Sequence, residues 1–264
     1  MAIADKLGFR AFIFDLDGCV FRGSKAIPGA GETISLLRKM GRKVLFLTNN
    51  ATETPESYSR KLFGMGIPVP PEEIITSAVA TALFMRKWKS GRVYMIGEEG
   101  LKSALEGAGF TIMGEGASAD ADYVVCGLDR AVTYHKLAQA GLAIQSGAKF
   151  IATNTDPSYP AEEGYLPGAG AISCAITKTT GVKPLIIGKP SKRIMGIALK
   201  KAGVKSEEAV IIGDSLETDI RAGINAGVYT ILVLTGVTKR EDLSRSKNVP
   251  DLVLESIADI QALI

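Results

Sequence analysis

Short apolar runs alternate along the chain with segments whose apolar residues recur at helical spacing. This alternation is typical of βαβ units and predicts a parallel sheet covered by helices. Most of the runs have continuous apolar centres, as expected for parallel strands that are buried on both faces. The predicted strands are RAFIF (10–14), KVLFLT (43–48), RVYMIG (92–97), DYVVCG (122–127), KFIATN (149–154), PLIIG (184–188), AVIIG (209–213), TILVL (230–234) and DLVL (251–254).

Helix signals lie between the strands. One helix is predicted from about residue 31 to Gly41, and a second begins with Thr54 as N-cap, has Pro55 in its first turn and ends at Gly64. A third is predicted to follow Ser191, with apolar residues along one face.

The number of strands predicts two units, because nine strands are many for one small sheet. Residues 79–183 have their own strand–helix rhythm, and the edges of this region fall in ITSAVA (75–80) and TTGVKP (179–184), which are turn-like or rich in small residues. The predicted fold is therefore α/β: a Rossmann-like parallel-sheet core made of 1–78 and 184–264, with an inserted α/β domain at 79–183.

Composition narrows the class of protein. The net charge of +3 is too small, and the basic residues too scattered, to favour nucleic-acid binding. No apolar run is long enough to span a bilayer, and MAIADKLG lacks the apolar centre of a signal peptide. The three cysteines, Cys19, Cys126 and Cys174, lack metal-ligand spacing and are expected to be reduced thiols in a cytoplasmic protein.

Two carboxylates end the first strand, in FIFDLDG. Asp15 and Asp17 are two residues apart, so in extended backbone they point to the same side. Ligands of open parallel sheets bind at the carboxyl ends of strands, where Mg²⁺ would offset the repulsion between two acids. Taken alone, the pattern reads equally well as a turn that starts at Asp-Gly.

Further polar residues follow three other predicted strands. LTNN ends one strand, GKPS follows another, and GDSLETD follows a third. Each is weak alone, since Asn-Asn also fits an Asx turn. Their recurrence at four strand exits favours one shared site, to which these strands contribute Thr48, Asn49, Asn50, Lys189, Asp214 and Asp219.

The order of these motifs resembles that of phosphatases of the haloacid dehalogenase superfamily. DLDG, LTNN, Lys189 in GKPS, and GDSLETD match its four motifs in sequence. The long span between the second and third motifs resembles the NagD-like, p-nitrophenylphosphatase branch, which carries a large cap domain. IATNTDPSYPAEEGYLPGAGA (151–171) is similar to a cap segment of that branch, and FRGSKAIPGA and LVLTGV resemble its bacterial sugar-phosphate phosphatases.

The resemblance implies a role for each motif. Asp15 would be the nucleophile that forms an aspartyl-phosphate, and Asp17 the general acid and base. Mg²⁺ would be held by Asp15, Asp214 and the backbone carbonyl of Asp17. The other implied roles are phosphoryl binding by Thr48, Asn50, Lys189 and backbone amides near Leu16 and Asn49, support from Ser215 and Asp219, and either substrate contact or cap folding by Asn154 and Asp156.

The expected activity is hydrolysis of small phosphomonoesters, sugar phosphates first and nucleotide monophosphates second, with p-nitrophenyl phosphate as an artificial substrate. The family resemblance also implies a homodimer formed through the cap. A phosphotransferase or phosphomutase using the same intermediate, and a metabolite-binding protein without turnover, remain as alternatives.

Three other interpretations of short motifs are excluded: a serine esterase, a P-loop and a dinucleotide-binding site. GDSL at 213–216 opens a family of serine esterases, but no histidine follows Ser215, and the sole histidine, His135, lies upstream. GVKPLIIGKP has proline where a P-loop needs Ser or Thr after the lysine, and GEEGL lacks the three-glycine dinucleotide fingerprint.

Overall fold

The computed structural model describes residues 8–114, 120–161 and 164–264, which form two compact units. Within the described residues, the first unit comprises residues 8–48, Pro55–Ile75 and Lys189–Ile264. The second unit comprises Asn49–Thr54 and Thr76–Gly188.

Strands and helices alternate along most of the described chain. The strands are β1 (Ala11–Phe14), β2 (Phe21–Arg22), β3 (Lys25–Ala26), β4 (Lys43–Thr48), β5 (Ile74–Thr76), β6 (Arg92–Ile96), β7 (Thr111–Ile112), β8 (Tyr123–Cys126), β9 (Lys149–Ala152), β10 (Ser158–Ala161), β11 (Gly164–Pro167), β12 (Leu185–Ile186), β13 (Ala209–Gly213), β14 (Tyr229–Val233) and β15 (Leu252–Leu254). The helices are α1 (Ala30–Lys39), α2 (Pro55–Gly64), α3 (Ser77–Met85), α4 (Glu99–Gly107), α5 (Tyr134–Gln145), α6 (Ala169–Thr180), α7 (Lys192–Ala202) and α8 (Arg221–Ala226).

The first unit is built on a six-stranded sheet with the order β15-β14-β13-β1-β4-β5. Strand β1 lies between β13 and β4 and is parallel to both, with Ile13 opposite Ile211 on one side and Leu45 on the other. Every residue of β1 is buried, which explains its uninterrupted apolar sequence. Because these strands are parallel, their carboxyl ends lie at the same edge of the sheet.

Helix α1 shows how the sequence builds the layer that covers this sheet. Ile34 and Leu37 are one helical turn apart and pack into the core with Phe14 and Phe46, whose rings stack at 6.1 Å. Arg38 and Lys39 occupy the last turn, where cations are favoured by the helix dipole.

The second unit has its own parallel sheet, with the order β12-β9-β8-β6-β7. Apolar residues of α5 and α6, including Ile144 and Ile176, pack on this sheet and form a separate core. Trp88 stacks on Tyr123 with ring centroids 5.5 Å apart. Strands β10 and β11 form a separate antiparallel hairpin.

The predicted α/β architecture with parallel sheets is confirmed. The bounds of the two units differ from the predicted domain bounds in three places, at residues 49–54, 76–78 and 184–188. Residues 49–54 belong to the second unit, and β12, in the run PLIIG that was assigned to the core, pairs with β9 of the second unit. ITSAVA, predicted to be an edge because it is turn-like or rich in small residues, contains the boundary between Ile75 and Thr76, and it holds the end of β5 and the start of α3. None of the helices in the described ranges is both long and apolar enough to cross a membrane.

Leu105→Ala is expected to destabilise the second unit by about 2–5 kcal/mol, because Leu105 is fully buried in α4. Trp88, the only tryptophan of the sequence, lies in this unit, so its fluorescence during urea unfolding measures the loss. Leu142→Ala is the matched control: the residue is 52% exposed, and its loss should be nearer 0.5 kcal/mol, roughly the limit for surface changes. Equal losses in the two variants would contradict this description of the core.

Candidate active site

Three strand exits at the carboxyl edge of the first unit's sheet carry buried polar residues. Asp15 follows β1, Thr48 closes β4, and Asp214 follows β13, and each side chain is almost completely buried. The backbone N–H of Asp15 donates to the carbonyl of Ile212 at 2.8 Å, which continues the pairing of β1 with β13 by one residue. The parallel register therefore fixes the separation of the two acidic residues before their side chains interact.

Lys189 is buried among acceptors at this edge. Its Nζ donates to Oδ1 of Asp15 at 2.5 Å, to Oδ1 of Asp219 at 2.6 Å and to the carbonyl oxygen of Leu47 at 3.2 Å. Burial alone would lower the pKa of Lys189, but the charges of Asp15 and Asp219 raise it above its usual value. The lysine is therefore a fixed positive charge beside the Asp15 carboxylate.

Asp15, Asp214 and Asp219 form an acidic cluster, with one carboxylate oxygen of each within 4.8 Å of the others. Burial raises the pKa of Asp15 well above its usual value, and the charges of Asp219 and Asp214 raise it further, while Lys189 acts in the opposite direction. Burial and the charge of Asp219 raise the pKa of Asp214 to about 6. Both carboxylates therefore hold a negative charge less readily than free aspartate.

This cluster fits a hard divalent cation. Three buried carboxylates face one ammonium group, so a further positive charge would favour their ionised forms. Carboxylate and carbonyl oxygens are the ligands that Mg²⁺ prefers. The donor set of Asp15 and Asp214 is thus suited to the predicted metal, whereas both carboxylate oxygens of Asp219 already accept hydrogen bonds, one from Lys189 and the other from the N–H of Ser215.

The loop after β1 contains Leu16 and Asp17. The Leu16 side chain is fully buried, and its carbonyl oxygen accepts hydrogen bonds from Val20 and Phe21 at 2.9 and 3.1 Å. A contact from Leu16 to a phosphoryl group would therefore come from its backbone. Asp17 is exposed, in contrast to Asp15.

Asp219 lies in a π-helical turn, Leu216–Ile220, that runs into α8. One of its carboxylate oxygens accepts from Lys189, and the other accepts from the backbone N–H of Ser215 at 3.1 Å. The Ser215 hydroxyl accepts in turn from the N–H of Thr218 at 3.3 Å and caps the turn. Ser215 and Asp219 are thus placed to hold Lys189 and the segment after Asp214.

Asn49 and Asn50, which follow Thr48 directly, belong to the second unit. The Asn49 side-chain amide donates to both oxygens of Asp156, at 3.2 and 3.0 Å, and the Asn49 carbonyl accepts from Nδ2 of Asn154 at 2.7 Å. Oδ1 of Asn50 accepts from the N–H and the hydroxyl of Thr52, which is an Asx turn.

The segment around Asn154 and Asp156 is held by the glycines of PGAG. Gly170 donates its N–H to the carbonyl of Asp156 at 2.9 Å, and Gly168 donates to that of Pro157 at 2.9 Å. A Cβ at either glycine would lie 2.3 Å from a carbonyl oxygen of this segment. These contacts give the ATNTD…PGAG pattern a role in the folding of the second unit.

The segment 235–238, which follows β14, was not assigned a role from the sequence. The N–H of Val237 donates to Oδ2 of Asp214 at 2.6 Å, and the hydroxyl of Thr235 donates to the carbonyl of Gly18 at 2.6 Å. Gly18 has φ +81°, a conformation that favours glycine. The sequence signal for this segment is its position, because LTG follows β14 directly, at another strand exit of the same sheet.

Comparison with known proteins identifies the family. A family model described as haloacid dehalogenase-like hydrolase matches residues 12–111, and one described as HAD-hydrolase-like matches residues 186–260. An acid sugar phosphatase from Staphylococcus aureus (strain MRSA252) is 46% identical over 243 residues, 92% of this chain and 92% of that protein. A 5'-nucleotidase, YutF, from Bacillus subtilis (strain 168) is 42% identical over 252 residues, 95% of this chain and 97% of that protein.

Solved structures give the same result. The 4-nitrophenylphosphatase from Thermotoga maritima superposes with a TM-score of 0.92 at 36% identity and covers 98% of each chain. NagD from Escherichia coli K-12 superposes with a TM-score of 0.89 at 36% identity, over 96% of this chain and 99% of its own. The resemblance carried by the four motifs is thereby confirmed, and this chain belongs to the haloacid dehalogenase-like hydrolase family.

Proposed function

We propose that this chain is a Mg²⁺-dependent phosphatase that hydrolyses small phosphomonoesters through an aspartyl-phosphate on Asp15. The observation that carries the proposal is the buried Asp15 carboxylate, which contacts Lys189 and clusters with Asp214 and Asp219 at the carboxyl end of β1. Its relatives named as phosphatases, similar over nearly the whole chain, support the same activity.

In the first half of the reaction, a carboxylate oxygen of Asp15 attacks phosphorus while the bond from phosphorus to the ester oxygen breaks. Asp17 donates its proton to the departing oxygen, so the alcohol leaves as a neutral molecule. The products of this step are the alcohol, the phosphorylated Asp15 and the Asp17 carboxylate.

In the second half, the Asp17 carboxylate takes a proton from a water molecule, and the resulting hydroxide attacks phosphorus. The bond from phosphorus to Asp15 breaks, inorganic phosphate forms, and both aspartates return to their starting states. The two-step route replaces one difficult displacement with two easier ones.

Charge stabilisation comes from the residues around Asp15. Asp15, Asp214 and the backbone carbonyl of Asp17 would hold Mg²⁺, which when bound offsets the repulsion between the attacking carboxylate and the phosphate. Lys189 is proposed to bind a phosphoryl oxygen while Asp219 keeps its ammonium group in place. Thr48, Asn50 and backbone amides near Leu16 and Asn49 are proposed to complete the phosphoryl site.

The second unit is proposed to be the cap that selects the substrate. This role follows from the family, since the second unit is inserted between the second and third motifs. Asn154 and Asp156 are its proposed polar contributors, by substrate contact or by their bonds to Asn49. A homodimer formed through the cap, in the cytoplasm, completes the proposal.

Sugar phosphates are the first proposed substrates, supported by the relatives named acid sugar phosphatases. Nucleoside 5'-monophosphates are the second candidate, because a relative of similar identity is named a 5'-nucleotidase. A panel of both classes, compared by kcat/KM, separates them. Measuring phosphate release against transfer to an added sugar separates hydrolysis from phosphotransfer.

Asp15→Asn is expected to lower hydrolysis of p-nitrophenyl phosphate by more than about 10³-fold, because the variant lacks the nucleophile. The release of p-nitrophenol and of inorganic phosphate measures the loss. Asp120→Asn makes the same change at an exposed aspartate and should keep full activity. Near-normal turnover by Asp15→Asn would show that another group attacks phosphorus.

Asp17→Asn is expected to lower kcat by about 10²–10⁴-fold, the usual contribution of general acid–base catalysis. The Kd for Mg²⁺ should change little, because the proposed ligand is the backbone carbonyl. The loss should be larger for a sugar phosphate than for p-nitrophenyl phosphate, whose leaving group needs less protonation. A variant that differs only in its Mg²⁺ affinity would contradict the acid–base role.

A further inference from the structure

The loop of residues 235–238 connects two strand exits of the proposed active site. It follows β14, which is adjacent to β13 in the sheet and one strand further from β1. Two of its members have almost opposite exposure: Val237 is 61% exposed, whereas Thr238 is buried. The hydrogen bonds that hold the loop to its neighbours come mainly from its backbone and its two threonines.

On the β13 side, the loop binds Asp214 through its carboxylate and its backbone. The N–H of Val237 donates to Oδ2 of Asp214 at 2.6 Å, and the N–H of Thr238 donates to the Asp214 carbonyl at 3.2 Å. The Thr238 hydroxyl accepts from the N–H of Leu216 at 3.3 Å. The loop thus binds Oδ2 of the Asp214 carboxylate as well as the backbone of Asp214 and Leu216.

On the β1 side, the loop binds the segment that follows Asp15. The Thr235 hydroxyl donates to the carbonyl of Gly18 at 2.6 Å, and the Arg22 guanidinium donates to the Thr235 carbonyl. Gly18 adjoins Asp17, whose carbonyl is a proposed metal ligand. One loop therefore contacts both segments that would supply metal ligands.

Gly236 provides the space for this arrangement. A Cβ at Gly236 would lie 1.7 Å from Oδ2 of Asp214, and one at Gly18 would lie 2.5 Å from the same atom. The backbone of Gly236 lies outside the positive-φ region, so space alone requires glycine there. Oδ2 of Asp214 is thus enclosed by two glycines and the N–H of Val237.

We propose that residues 235–238 form a clasp that positions Asp214 and the Gly18 segment for Mg²⁺. This inference rests on the proposed function. Asp15 and Asp219 repel the Asp214 carboxylate, so without the clasp it would turn away from the cluster. Groups that hydrogen-bond to a metal ligand set the orientation of that ligand and the affinity of the site for the metal. The clasp would act on Asp214 in this way.

Gly236→Ala tests the clasp by displacing the Asp214 carboxylate. Titration calorimetry with Mg²⁺ alone should show affinity weakened about 10- to 100-fold, the range seen when a partner of a metal ligand is lost. Gly196→Ala is the matched control, because a Cβ at this exposed helical glycine meets nothing within 4 Å, and it should bind Mg²⁺ as the unmodified protein does.

Thr235→Val and Thr235→Ser provide a second test that does not depend on Gly236. Valine keeps the shape but lacks the donor to Gly18, so Mg²⁺ affinity should fall severalfold, and serine should restore it. Melting temperatures in EDTA are measured for the same proteins, and the Mg²⁺ affinity decides between the roles, since a purely structural role would lower the melting temperature and leave the affinity of the folded protein unchanged.

The clasp is overturned if Gly236→Ala binds Mg²⁺ normally, if Gly196→Ala is weakened to the same extent, or if the valine and serine variants bind equally well. An unmodified protein that binds no Mg²⁺ would overturn both the clasp and the metal dependence of the proposed function. If the unmodified protein releases phosphate in the presence of Mg²⁺ and the clasp variants bind Mg²⁺ with normal affinity, the clasp alone is overturned and the proposed function stands.

Discussion

The candidate site depends on one buried ammonium group held between carboxylates. Lys189 contacts Asp15 and Asp219 in a region from which water is almost excluded, and Asp214 lies within the same cluster. Removing one partner from a buried ion pair leaves an uncompensated charge, at a typical cost of about 3–5 kcal/mol. Because three carboxyl groups cluster around one lysine, a divalent cation at this cluster would supply further positive charge and favour the ionised forms of Asp15 and Asp214.

Backbone geometry keeps this cluster in place. The parallel pairing of β1 with β13 fixes the separation of Asp15 and Asp214. The N–H of Ser215 donates to a carboxylate oxygen of Asp219, and the N–H of Val237 donates to one of Asp214. Side chains that repel one another are thus held by donors that favour their ionised forms. The catalytic role proposed for Asp15 therefore rests on a frame built mostly from main-chain groups.

The long strands could be predicted, and so could the three helices located from the sequence, because their patterns are periodic and strong. KVLFLT and AVIIG form strands over the whole predicted range, and Lys189 was expected beside the acids. Strand β11 could not be predicted, since all four of its residues are exposed and it has no buried apolar pattern. PLIIG has the apolar pattern of a core strand, but pattern does not say which sheet a strand joins. The bond from Val237 to Asp214 is made by a backbone N–H, which leaves no trace in side-chain chemistry.

Thermal unfolding at increasing Mg²⁺ concentration tests most directly whether the buried acidic cluster takes up a cation. A ligand that binds only the folded state stabilises it by about 2.7 kcal/mol at 100 times its Kd. We expect a saturable rise in Tm with Mg²⁺ for the unmodified protein and little or none for Asp214→Asn. An unmodified protein whose Tm does not depend on Mg²⁺, or an equal rise in Asp214→Asn, would contradict a cation site at this cluster.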